Sequence, residues 1–201
     1  RPTTAGYKVL ADGDPEKWLT GGGQLRCCGD GYQGSKKLGD RRLWRVPVMD
    51  GEFLCEERLG STKGVAGGNL LICGSTGDQA LAAATAAAEA MRDVSDCILP
   101  FPGGLVRSGS KVGSRYEQLV ASTNDALAPT QRRRSETELV EGANCCYELV
   151  MDGVDEGAVG QAMRAAIEAA SGDGVLAIGA GNYGGKLGKF NFHLREVMGE
   201  S

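Results

Sequence analysis

The sequence is short of histidine, aromatic residues and proline, and it contains no long apolar run. Its single histidine, His193, gives poor support to a zinc site or to a Ser-His-Asp or Cys-His centre. No apolar stretch is long enough to cross a bilayer as a helix, so no membrane partner is expected. A positive excess is lacking too. The net charge of −4 speaks against bulk nucleic-acid binding. Seven cysteines are present, as Cys27-Cys28, Cys55, Cys73, Cys97 and Cys145-Cys146, but no C-x-x-C pair. An odd count in a chain of 201 residues fits free thiols in a reducing cytoplasm better than a disulfide framework. The first residue is Arg1 rather than methionine, so the natural start, with any targeting segment, is expected upstream.

What is abundant is glycine, 32 residues against six prolines, with no repeating triplet. That composition predicts many tight turns and close backbone approaches rather than a collagen-like or disordered chain. Gln24–Cys28 reads as a short strand and 33–42 as a charged loop. Leu43–Met49 and Glu52–Leu59 flank Asp50-Gly51 as a hairpin, with Pro47 suggesting an edge strand. Asn69–Gly74 reads as an apolar strand, Ser75–Asp78 as capping residues and Gln79–Arg92 as an alanine-rich helix. Cys97–Pro100 and Leu119–Ser122 read as short strands, and 123–143, with Arg132–Arg134, as a polar loop. Cys145–Met151 is again strand-like, Asp155 a cap, and Glu156–Ala170 a helix with apolar i, i+3, i+4 spacing. Val175–Ile178 is a strand, 179–188 a glycine loop, and Phe190, Phe192 and Leu194 alternate as on a last strand. Strand, helix, strand and glycine loop thus occur twice, at an offset of about 77 residues in this register. Two such units interleave as a ferredoxin-like βαββαβ split with an antiparallel sheet. The expected class is therefore α+β, an α/β sandwich.

Residues 144–152 hold the oddity. On a strand, Cys145, Tyr147, Leu149 and Met151 share one face, and Cys146, Glu148 and Val150 the other. Glu148 sits mid-strand between apolar neighbours, and in the 77-residue register its counterpart is Leu71. Burial favours the neutral form of a carboxyl group, which suits it to acid/base work. The plainer alternative is an edge strand whose glutamate meets water.

Gly179-Ala180-Gly181-Asn182-Tyr183-Gly184 matches G-x-G-x-x-G, but an alternating strand pattern rather than a helix follows it, and the element order is not that of a dinucleotide fold. A Walker A loop fails for want of Ser or Thr after Lys186. Two loops place lysine between glycines, Gly109-Ser110-Lys111-Val112-Gly113 and Gly185-Lys186-Leu187-Gly188-Lys189. Backbone N–H groups beside an ammonium make a concavity for anions, while ordinary turn chemistry is the alternative. His193 shares a face with Asn191 and Arg195 and reads as solvated. Tyr147 and Tyr183 fit either core rings or ligand contacts.

Six segments in order carry a family resemblance: Gly29–Tyr32, Lys63–Asn69, Pro100–Gly104, Ser108–Gly113, Met151–Glu156 and Ala180–Lys189. Together they closely resemble the formylmethanofuran:tetrahydromethanopterin formyltransferases of methanogens and methylotrophic bacteria, from Arg1 to the C-terminus. The resemblance implies a fold of two ferredoxin-like lobes. Residues 1–48 would be the tail of the first (proximal) lobe, a remnant here, and 49–201 the whole second (distal) lobe. It implies formyl transfer between methanofuran and tetrahydromethanopterin as substrates, with no metal or prosthetic group. It further implies a homo-dimer or tetramer, or membership of a formyltransferase/hydrolase complex. By the same resemblance Glu148 would be catalytic. Phe101, Pro102, Gly103, Gly104, Lys111, Asn182, Tyr183, Lys186 and Lys189 would contact substrate. A non-catalytic cofactor-binding or scaffolding subunit of such a complex is the competing reading.

Overall fold

The computed structural model describes residues 17–22, 24, 31–49, 51–61, 63–107, 124–133, 136–181 and 189–199. Its compact units divide after Lys63.

In the first unit, strands β1 (Lys17–Leu19) and β5 (Leu59–Ser61) pair antiparallel. Strands β2 (Gly34–Leu38), β3 (Arg41–Val48) and β4 (Gly51–Glu56) form a three-stranded antiparallel meander. Two expectations are corrected here. The charged stretch 33–42 is not a loop but supplies β2 and the turn into β3; its lysines and arginines are exposed, so their charge costs the strand little. Pro47 lies in the central strand, yet β2 pairs with β3 only from Arg41 to Arg45. Past Arg45 that side of β3 is a local edge, where a missing N–H breaks no ladder. The strand expected over Glu52–Leu59 also breaks, at Glu57-Arg58, into β4 and β5. The strand expected at Gln24–Cys28 lies outside the described residues but for Gln24, as does the one at Leu119–Ser122.

The second unit holds the repeat. Strand β6 (Val65–Gly74) leads into helix α1 (Gly77–Arg92) and on to β7 (Cys97–Ile98) and β8 (Leu105–Val106). Strand β9 (Cys145–Gly153) leads into helix α2 (Glu156–Ala170) and β10 (Val175–Gly179). Their order is β10-β6-β9-β7, with β8 also against β9 and each of these pairings antiparallel. This is the ferredoxin-like arrangement. The last segment departs from expectation: 190–193 is irregular and Leu194–Met198 is a short helix, α3, ended by Gly199 at φ 80. Phe192 and Leu194 both pack on the core, as alternation expects, but Phe190 is exposed.

Each helix starts on a side-chain cap. Thr76 Oγ1 accepts from Gln79 N, and Asp155 Oδ1 accepts from Ala158 N at 2.8 Å. Both helices turn alanine-rich faces inward, Ala80, Ala84, Ala87 and Ala88 on one and Ala158, Ala162, Ala166 and Ala170 on the other. Side chains this small let helix and sheet approach closely. Gly74 and Gly153, which end the two preceding strands, have no room for a Cβ: it would lie 2.8 Å from Ala80 Cβ and 2.7 Å from Val159 Cγ2. The core joins Leu70 and Ile72 of β6 to Leu149 and Met151 of β9, under Met91, Val159 and Met163.

These landmarks correct the repeat. The caps Thr76 and Asp155 are separated by the same 79 residues as Asn69 and Glu148. The counterpart of Glu148 is therefore Asn69, and Leu71 is instead its cross-strand neighbour in the β6–β9 register. Leu70 pairs with its own counterpart Leu149, so the local two-fold of the repeat passes between them.

Candidate functional site

Both helices cover one face of the sheet, where the odd-numbered side chains of β9 enter the core. Glu148 points to the other face, with its neighbours on that strand face Cys146 and Val150. It is nonetheless only 8% exposed, so the reading of a water-facing edge glutamate fails. Asn124, within the stretch expected to be loop, lies against it. Pro129–Gln131 there forms a 3-10 turn, and Arg132 donates to the carbonyl of Ala143.

The carboxyl group is held by two amides. Asn69 Nδ2 donates to Oε1 at 3.0 Å, and Asn124 Nδ2 donates to Oε2 at 3.2 Å. Asn69 is itself buried, and its Oδ1 accepts the backbone N–H of Gly181 at 2.8 Å. That last bond fixes the amide's orientation, because a backbone N–H can only donate. With Oδ1 committed to Gly181, Nδ2 must face Glu148. Oε1 is therefore an acceptor for Asn69, as Oε2 is for Asn124. Asn69 and Glu148 lie diagonally across the β6–β9 pair, one from each half of the repeat.

Two thiols lie next to this pair. Cys73 and Cys146 are directly opposite in the β6–β9 register, with Sγ atoms 3.3 Å apart and hydrogen-bonded. The bond to Cys146 pulls the Cys73 thiol below its ordinary range against the opposing effect of burial. Cys146 is pushed up, by that same bond, by burial and by the nearby charges of Cys73, Cys145 and Glu148.

Of the other residues expected at the site, Phe101–Gly104 forms a turn against α1. Arg92 Nη2 donates to the Gly103 carbonyl at 3.1 Å, Phe101 is exposed, and Gly103 and Gly104 adopt φ 75 and φ 84. Its link to Glu148 is through the chain: Gly104 runs into β8, whose Val106 pairs with Glu148. Lys189 is exposed. Lys111, Asn182, Tyr183 and Lys186 lie outside the described residues. His193 is exposed, and Tyr147 packs against the core. Sequence reasoning misses Asn69 and Asn124. Alternation marks a polar residue in a strand only when the strand's start is known, and the apolar pattern makes Asn69 the first residue of its strand rather than the middle of β6. Among the described residues, no group of three or more His, Cys, Asp or Glu could hold a metal ion, and no helix is long and apolar enough to cross a membrane.

Residues 51–197 match the family model described as "FTR, proximal lobe". That description attaches the word proximal to residues for which the resemblance suggests distal. The formylmethanofuran–tetrahydromethanopterin formyltransferase of Methylococcus capsulatus is 52% identical over 201 aligned residues, covering 98% of this chain and 66% of that protein. The enzyme of the same name from Methanopyrus kandleri is 45% identical, with 98% and 66% covered. A protein of Methylorubrum extorquens named as a subunit of the formyltransferase/hydrolase complex is 46% identical, with 88% and 60% covered. Among solved structures, the formyltransferase of Methanosarcina barkeri superposes with a TM-score of 0.70 at 41% identity, covering 95% of this chain and 65% of that one. The formyltransferase/hydrolase complex from Methylorubrum extorquens, with methylofuran bound, gives 0.70 at 43%, with 94% and 65% covered. The chain spans about two thirds of the length of these relatives.

Proposed function

This chain belongs to the formylmethanofuran–tetrahydromethanopterin formyltransferase family, and we propose that the protein transfers a formyl group between N-formylmethanofuran and tetrahydromethanopterin. The observation that carries the chemistry is a buried glutamate held by two amides, one of them tied to the glycine loop at Gly181. Attack of the pterin nitrogen on the formyl carbon gives a tetrahedral oxyanion. The bond to the methanofuran nitrogen then breaks, and the proton lost by the attacking amine must reach the departing one. Glu148 can carry that proton while Asn69 and Asn124 hold its two oxygens, so the group arrives in one orientation. Both carriers are anionic. Lys111, Lys186 and Lys189, with Asn182, Tyr183 and the turn at Phe101–Gly104, bind them in this proposal. No metal or prosthetic group takes part in it.

The proposed assembly is a homo-oligomer in the cytoplasm. Membership of a complex with other subunits has the support of the Methylorubrum extorquens relative, itself named as a subunit of a formyltransferase/hydrolase complex. We retain 1–48 as the end of one lobe and 49–201 as the next. The family match beginning at Gly51 supports that boundary, although the β3–β4 hairpin spans it.

Formyl transfer by the full-length protein and by Glu148→Gln, with folding checked by circular dichroism, is the test. Loss of about 10²–10⁴ in kcat is the expected result for removing a general acid/base. Full activity in the folded variant refutes the role of Glu148. An inactive wild type supplied with both carriers favours the non-catalytic subunit.

A further inference from the structure

We propose that Cys73 and Cys146 form a reversible disulfide site, closed by a peroxide, that bridges β6 and β9 beside Glu148. The two residues face each other in an antiparallel register with both side chains on the sheet face opposite the helices. Directly opposed residues in such a ladder have Cα atoms about 4.5 or 5.5 Å apart, and a disulfide accepts roughly 4.4–6.8 Å. The backbone is thus already spaced for a bridge. The sulfurs, 3.3 Å apart, need only approach by rotation about their side-chain bonds. Cys145, although adjacent in sequence, points to the helix face and cannot substitute.

The two thiols also differ as the chemistry requires. Their shared hydrogen bond leaves Cys73 the easier to deprotonate, and Cys146, nearer the Glu148 carboxylate, retains its proton. Cys73 is 5% exposed while Cys146 is partly exposed, so a small oxidant such as hydrogen peroxide is the fitting class. The Cys73 thiolate attacks one peroxide oxygen. The O–O bond breaks, hydroxide leaves and Cys73 becomes a sulfenic acid. The Cys146 sulfur then attacks the Cys73 sulfur; the S–S bond forms, the S–O bond breaks and a second hydroxide departs. The two thiol protons and the two hydroxides make two waters. Two sulfurs are oxidised by one electron each, and the peroxide takes both electrons.

Glu148 lies two residues from Cys146 on the same strand face, and its opposite number Leu71 lies two from Cys73. Closing the bridge therefore removes both S–H groups from the strand face that carries the carboxyl group. This effect on transfer rests on the proposed formyltransferase activity, whereas the bridge itself does not.

The full-length protein is treated with hydrogen peroxide, trapped with iodoacetamide, digested and mapped by mass spectrometry, alongside Cys73→Ser and Cys146→Ser. A cross-linked peptide joining Cys73 to Cys146, absent from both variants and removed by dithiothreitol, is the expected result. Alkylated Cys73 and Cys146 at peroxide doses that convert free cysteine to cystine overturn the site. So does accumulation of sulfinic or sulfonic acid at either position without the cross-link. In the same samples, transfer activity falls on bridging and returns on reduction. Cys73→Ser is unaffected by peroxide. A bridged protein of unchanged activity overturns the regulatory effect alone, and a wild type inactive before oxidation bears on the formyl-transfer proposal, not on the bridge.

Discussion

Asn69→Asp alters the amide that holds Glu148 without altering its shape. The variant keeps Oδ1 for the Gly181 N–H and places a second oxygen where Nδ2 now lies 3.0 Å from Glu148 Oε1. With both carboxylates charged, repulsion at that distance is about 5 kcal/mol at an effective dielectric near 20. The alternative is to share one proton. Drawing it at about pH 8 from a carboxyl that titrates near 4 in the unfolded chain costs about 5 kcal/mol. The resulting charge-assisted O–H···O bond returns about 2, so this route wins with a net deficit of about 3 kcal/mol. At about pH 5.5 the proton costs only about 2 kcal/mol, and the hydrogen bond offsets it. The sign is that of a group whose folded-state pKa is raised. Its contribution is present below the unfolded pKa and is lost as the pH rises. Urea unfolding of the full-length protein, followed by circular dichroism, measures the difference. A slope of about 1–3 kcal/mol per molar converts the deficit to a midpoint lower by about 1–3 M near pH 8, closing towards zero near pH 5.5. Asn69→Leu, which takes this partner from Gly181 N–H and Oε1 but adds no charge, should show a deficit that varies less with pH. An Asn69→Asp protein as stable as wild type near pH 8, or equally impaired at both values, would refute the bond between Asn69 and Glu148.

The other predictions concern the repeat and its thiols. Gly74→Ala should destabilise the second unit by about 1–3 kcal/mol, because the new methyl meets the backbone of α1 at Ala80 as well as its Cβ. Thermal unfolding checks it, at roughly 2–4 °C per kcal/mol. In iodoacetamide labelling under native conditions, Cys73 should gain reactivity at a lower pH than Cys55 or Cys97, whose thiols burial pushes up. The ordering should reverse in Cys146→Ala, which removes the hydrogen bond and leaves burial as the larger effect on Cys73.

Much of the second unit is legible in the sequence because its signals are local. The caps Thr76 and Asp155, the alanine-rich helices and the strand Cys145–Gly153 lie where pattern places them, while β6 begins at Val65, ahead of the expected Asn69. Reading fails where the deciding contact is distant in sequence. Residues 33–42 look like loop until pairing with β3 makes them a strand, and Pro47 looks like an edge marker until β2 is seen to end at Arg45. Alternation finds the glutamate but not what holds it, since Asn69 and Asn124 come from segments 79 and 24 residues away.

The register of the repeat shows why. Side chains on a strand repeat every two residues, so sliding one half against the other by two leaves every residue on the same face. Alternation is therefore blind to the slip between offsets of 77 and 79, and a match of apolar patterns accepts both. Helix caps are not blind to it, because a cap occupies one position and its neighbours cannot replace it. Aligning Thr76 with Asp155 is enough to pair Glu148 with Asn69. That pairing changes the meaning of the glutamate. Against Leu71 it is a charge where its twin is apolar, an exception to be excused by function. Against Asn69 it is one of two polar residues that the repeat brings together near its two-fold, each completing the other's hydrogen bonds on a face with little water. A buried carboxyl group without such a partner would be strongly unfavourable. The repeat thus supplies a chemically useful group and the amide that makes its burial tolerable. Substitutions at Asn69 should consequently affect stability and catalysis together, whereas Glu148→Gln, which can still accept from Nδ2, should separate the two.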